Sequence, residues 1–137
     1  MGRRNARKAA LQAIFQMDVG NAQLDQALEF TTNFTDTSGE DLQFAGEIAR
    51  GVLENKETID RVISSLSREW DLERLARVDL SILRLALYEI MFREDIPASV
   101  SVNEAVELSK VFSGEDSGRF INGILGGVLA ADKETRG

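Results

Sequence analysis

The stretch from Leu72 to Met91, LERLARVDLSILRLALYEIM, is so rich in Leu, Ile and Ala that little of a helix built from it can face water. Such a helix has to be surrounded. No sheet is on offer to do it, because every long segment carries its apolar residues at helical rather than alternating spacing and Pro97 is the only proline. The chain therefore reads as all-α, a compact bundle of about seven helices around a central one. No motif recurs at a fixed period, which argues against a solenoid.

Counting about 100° per residue from Arg4, Leu11, Ile14, Phe15 and Met17 form one stripe, which predicts an amphipathic helix over 3–19 that Gly20-Asn21 ends. A shorter helix is expected at about 22–33, with NFTDTSGED after it as a loop. Leu42, Ala45, Ile48, Ala49, Val52 and Leu53 define a third helix, and Ile59, Val62, Ile63 and Leu66 a fourth, with Asn55 as the break between them. Trp70 fits either core or surface, and Asp71 is a candidate N-cap for the central helix. Ile96-Pro97 stops that helix, since a proline ring disfavours helical geometry at the residue before it. Ser101-Val102-Asn103-Glu104 has the S-x-x-E form of a capping box and predicts the start of a sixth helix. After the loop at 113–117, a last helix carries Phe120, Ile121, Ile124, Leu125, Val128 and Leu129.

A chain of 137 residues is most simply one domain, and 43% hydrophobic residues with seven Phe is a globular rather than a disordered balance. No segment approaches the roughly 18 apolar residues that cross a bilayer, and no signal-peptide run follows the basic start, so no membrane contact and a cytoplasmic setting are expected. With no Cys and no His, disulfides, thiol chemistry, the commonest metal ligand and the usual proton shuttle are all missing. No catalytic residue, metal site or cofactor is expected.

The net charge is -7, yet Arg3, Arg4, Arg7 and Lys8 crowd the first eight residues; setting them aside leaves 12 Lys and Arg against 23 Asp and Glu, or -11. Arg4, Arg7 and Lys8 fall on the same side of the first helix as Leu11, Ile14 and Phe15. An unpaired buried charge costs several kcal/mol, so the helix is expected to overhang the core at this end. Cations there oppose the helix dipole, and a phosphate lying among them would reverse that term. Charge counting alone leaves two readings open, a polyanion grip and a solvated, frayed end. Four phosphate contacts on a single strand give a salt slope near -2.8, roughly 50-fold between 50 and 200 mM. An acidic body repels the same ligand, so tight binding needs stacking or a second, basic protein.

Other motifs carry less. GEDSGRFINGILGG lacks the ending of a phosphate loop, and Gly123 and Gly127 suggest close helix packing. Glu104 and Glu107 read as a cap and an exposed neighbour rather than a metal pair, and nothing points to a pocket around Lys110. Arg119-Phe120 could set a cation and an aromatic at the start of a helix against a phosphate and a base, although Phe120 also suits the core.

RRNARKAALQAIFQMD at the start, RVDLSILRLALYEI in the middle, and IPASVSVNEAVELSKVF followed by EDSGRFINGIL together resemble the NusB family of bacterial transcription antitermination factors. The resemblance covers the first helix and most of the C-terminal half. It implies two packed helical subdomains, about 1–70 and about 71–137, and no catalysis. It also implies binding of the boxA element of nascent ribosomal RNA together with NusE, a small-subunit ribosomal protein, in an antitermination complex on RNA polymerase. On this likeness Arg3, Arg4, Arg7 and Lys8 hold RNA phosphates, Asp116, Ser117, Arg119 and Phe120 form a second part of the RNA surface, and Asp79 and Phe15 face NusE. Two other readings stand beside it: an interaction module or homodimer whose basic helix docks an acidic protein without RNA, and an enzyme like the rRNA cytosine methyltransferases, some of which carry a similar N-terminal region. The second is not expected, since 137 residues leave no room for a cofactor-binding α/β domain beside the helices.

Overall fold

The computed structural model describes residues 3–35, 37, 39–66 and 72–136, with the side chains of 32–35 and 131–136 left out of that description. Trp70, Asp71 and, within the expected loop at 33–41, Asp36 and Ser38 lie outside it; residues 33–35 and 39–41 are helical, so the connection is shorter than the expected loop. Among the described residues there are six α-helices and no strand: α1 (Arg4–Val19), α2 (Leu24–Thr35), α3 (Gly39–Leu66), α4 (Arg77–Phe92), α5 (Ala98–Phe112) and α6 (Glu115–Arg136). The expected third and fourth helices are the two arms of α3. Asn55 leaves helical geometry between them, and its Nδ2 donates to the Gly51 carbonyl at 2.8 Å, so the break is a kink rather than a gap.

The central helix begins later than its apolar run. Residues Leu72–Arg74 form a single 3₁₀ turn, Ala76 is extended, and α4 starts at Arg77, an arrangement that leaves Leu75 buried. From Leu80 to Leu87 every side chain of α4 is buried, as the sequence demands of a surrounded helix. Helix α1 is also buried more widely than one stripe: Ala6, Ala9, Ala10 and Ala13 join Leu11 and Ile14 in the core, because α1 packs on α2, α3 and α4. Short alanine side chains allow that triple approach.

Two charged seams show that α1 and α4 run antiparallel. Arg7 near the start of α1 meets Glu89 near the end of α4, and Asp18 near the end of α1 meets Arg77 and Arg84 in the first half of α4. Arg84 also forks onto Asp60 of α3 at 2.9 and 3.0 Å. A Cβ on Gly51 would sit 2.0 Å from the Tyr88 ring, so only glycine lets α3 and α4 close at that level. Of the pair expected to pack, Gly127 faces Leu66, but Gly123 meets nothing. Between α5 and α6 the turn is just Ser113-Gly114; Gly114 has φ +152 and donates to the Ser109 carbonyl at 2.7 Å.

The capping box at Ser101 is not formed. Helix α5 starts three residues earlier, behind Pro97 at its N-cap, and Ser101 is buried, donating to Glu89 Oε1 at 2.9 Å. The central helix has already ended at Phe92, before Ile96-Pro97 is reached, and Pro97 instead preorganises the start of the next helix, which puts Ser101 inside the first turn instead of before it.

Candidate nucleic-acid interface

Each cation at the start of α1 has its own fate. Arg7 does not overhang the core. It is 4% exposed, and its Nε and Nη2 donate to the two Glu89 oxygens at 2.9 Å each. Glu89 is fully buried, with Ser101 as a third donor. The expectation of solvent or phosphate around Arg7 is thereby corrected: the argument held for an unpaired buried charge, and this one is paired and hydrogen-bonded. A carboxylate at position 89, inside an otherwise apolar run, was the signal in the sequence that a cation had to come to it.

Arg3 and Arg4 are tied but not enclosed. Arg3 lies 3.6 Å from Asp95 and stacks over the Phe44 ring at 4.3 Å, a ring that Arg93 and Arg7 also approach at 5.4 and 5.6 Å. Arg4 donates from Nε and Nη2 to Glu104 Oε2 at 3.2 and 2.9 Å, and this carboxylate raises its pKa above the ordinary guanidinium value. Lys8 makes no hydrogen bond or ion pair among the described residues. Arg4, Arg7 and Lys8 line a cleft of about 130 Å³ between α1 and α5 with Glu104, Glu107, Leu108 and Val111. Glu104 is thus a partner of Arg4 and not a helix cap.

The second group lies across α5. A wider cleft of about 500 Å³ between α5 and α6 is lined by Val102, Asn103, Val106, Lys110, Glu115, Gly118, Arg119 and Asn122. Helix α5 is the ridge between the two clefts. Arg119 is 78% exposed, with Asp116 3.6 Å away and almost fully in solvent. Phe120 points elsewhere: it is half-buried against the core and lines a cleft with Arg74, Leu75, Ala76 and Asp79. A cation and an aromatic in sequence are therefore divided between two sides of α6.

Ser117 and Asp79 come together. Asp79 accepts from Ser113 Oγ at 3.0 Å and from Ser117 Oγ at 3.1 Å, and it is buried. Both Asp79 oxygens hold the α5–α6 turn, and the residue expected to face a partner is reached from outside at the floor of the Phe120 cleft. Phe15 is half-buried at the surface, in an apolar cleft of about 200 Å³ with Leu11, Gln12, Gln16, Val78 and Phe112.

Clefts rimmed by cations and an apolar groove, on a helical scaffold without Cys or His, define a binding module. The NusB family model matches residues 4–130. The chain is 51% identical to the transcription antitermination protein NusB of Pelotomaculum thermopropionicum, over 99% of this chain and 94% of that one. Among solved structures it is similar to NusB of T. maritima, with 40% identity, TM-score 0.82 and coverage of 91% of this chain and 88% of that one. It also shares its fold with a chain from a structure of the antitermination factors NusB and NusE in complex with dsRNA, at 22% identity, TM-score 0.85 and coverage of 94% and 96%. The chain belongs to the NusB family of transcription antitermination factors, which are not enzymes. No described helix is long and apolar enough to cross a membrane.

Proposed function

We propose that the chain binds boxA-type single-stranded RNA together with NusE and acts in the cytoplasm, within an antitermination complex on RNA polymerase that supports ribosomal RNA transcription. The observation that carries this reading is the pair of cation-bearing clefts on the two flanks of α5, in a chain whose net charge is -7. Arg3, Arg4 and Lys8 hold phosphates on one flank. Arg119, with Lys110 beside it, holds them on the other, and Asp116, Ser117 and Phe120 shape that second surface. Arg7 serves by fixing the start of α1 and does not itself touch RNA. The apolar cleft around Phe15 takes NusE, and a basic ribosomal protein supplies the positive charge that this body lacks.

The test is a titration of boxA-type RNA with and without NusE. Replacing Arg3, Arg4 and Lys8 by Ala removes up to three phosphate contacts, so the salt slope flattens by about 2 and affinity at low salt falls at least tenfold. Unchanged affinity overturns the reading.

A further inference from the structure

We infer that Glu104 limits how tightly this chain holds RNA: it occupies Arg4 in the place of a phosphate and has to lose Arg4 before Arg4 can grip one. The inference rests on the RNA reading above. Of the Arg–carboxylate pairs at the two helix starts, three rank clearly by burial. Arg7–Glu89 is sealed on both sides and cannot exchange. Arg119–Asp116 is long and open to water, and competes weakly with any ligand. Arg4–Glu104 lies between them, short at 2.9 Å, with the Arg4 side chain 57% exposed and the Glu104 side chain 15%.

That asymmetry says which partner moves. Glu104 sits on α5, whose first turn is pinned through Ser101 to Glu89, and its other oxygen lies 3.8 Å from Arg7 Nη1. Arg4 is a long side chain at a helix start with most of its length in water. It swings out, and the carboxylate stays. Glu107, one turn along α5, also lines the cleft but is paired with Lys110 at 3.3 Å, and Lys8 is the one cation there without an ion pair among the described residues. A phosphate therefore enters at Lys8, recruits Arg4 by competition, and works against the fixed charge of Glu104 throughout.

The substitution E104Q keeps the size of the side chain and an acceptor oxygen for Arg4 while removing the charge. Binding of a boxA-type single-stranded RNA is measured across salt for the wild type, E104Q, R4Q and the double variant. Freeing Arg4 for a full phosphate contact adds one ion pair at near-water screening, which raises affinity about fivefold and steepens the salt slope by about 0.7. In the R4Q background the same change gains less than about twofold, since the competitor then has nothing to withhold. Wild-type binding with no gain in E104Q overturns the inference and leaves the RNA reading standing, as does an equal gain with and without Arg4, which makes the effect one of general charge. A wild type with no salt-dependent RNA binding overturns the RNA reading and this inference with it. Should E104Q unfold, E104D, which keeps the charge but draws it back from Arg4, carries the test with a smaller gain expected.

Discussion

The starts of α1 and α6 pose the same problem and solve it differently. Each puts cations where the helix dipole is positive. Helix α6 answers locally, with Glu115 and Asp116 in its first turn and Arg119 next to them. Helix α1 has no acidic residue in its first turn, and the answer comes from far along the chain: Glu89 at the end of α4, Asp95 after it and Glu104 on α5. A charge balanced by its own helix stays at the surface and available. One balanced by other helices becomes part of what holds them together, in proportion to its burial. The basic start of α1 is thus graded, from Arg7, which is scaffold, through Arg4 and Arg3, which are exchangeable, to Lys8, which has no ion pair among the described residues.

Removing Arg7 is expected to have the largest consequence. Replacing it with Met leaves Glu89 buried without its main partner, and breaking a pair of this kind costs about 3–5 kcal/mol. Urea denaturation should show that loss, and R7M with Glu89→Leu should recover most of it, because an apolar pair of similar volume suits the same site. A loss below about 1 kcal/mol in R7M would mean that the pair is not the clamp described. Arg119→Ala is the matched experiment at the other helix. Stability should stay within about 0.5 kcal/mol of the parent, as for surface positions generally. The salt slope of RNA binding should flatten by about 0.7, the share of one phosphate. A slope that does not move would take Arg119 out of the RNA surface.

Much of the fold was legible because it rests on periodicity. The apolar run after Leu72 could only be central, Asn55 was visible as an interruption, and Leu11 and Ile14 pointed to the core face of α1. Less legible were the places where polar residues go inside. Periodicity assigns a direction to Arg7 but says nothing of what waits there: Glu89 reaches it from 82 positions away, and Ser101 reaches Glu89 from 12 positions further along. The capping-box reading failed for a related reason. Ser101 and Glu104 have the right spacing for a local motif, yet each is claimed by an arginine network from α1. Phe44 belongs to the core and also lies under the guanidinium groups of Arg3 and Arg93, a contact that no apolar stripe announces. Sequence reasoning recognised the cationic surface but could not separate the exchangeable charges from the structural one, because that distinction lies in burial and partner geometry.

The smallest expected effect falls on the boundary between the two kinds of pairing. Asp95 takes a forked pair of hydrogen bonds from Arg93, two residues before it, at 2.9 Å each, and stands 3.6 Å from Arg3 across the chain. Its carboxyl is held at about 2, below the ordinary 3.8, chiefly by the Arg93 hydrogen bonds, with Arg3 the least of the contributions. A carboxyl whose folded value is depressed stabilises the native state fully above its unfolded value and loses that contribution as pH falls toward the folded one. The difference in urea midpoint between the wild type and Asp95→Asn should therefore hold from pH 6 down to about 4 and shrink steadily as the pH approaches 2. Removing Arg3 should leave that window where it is, because the local fork from Arg93 sets it. If Arg3→Ala instead moves the acid transition upward, Arg3 is bound to Asp95 as firmly as Arg7 is to Glu89, and it joins the scaffold rather than the surface that RNA can reach.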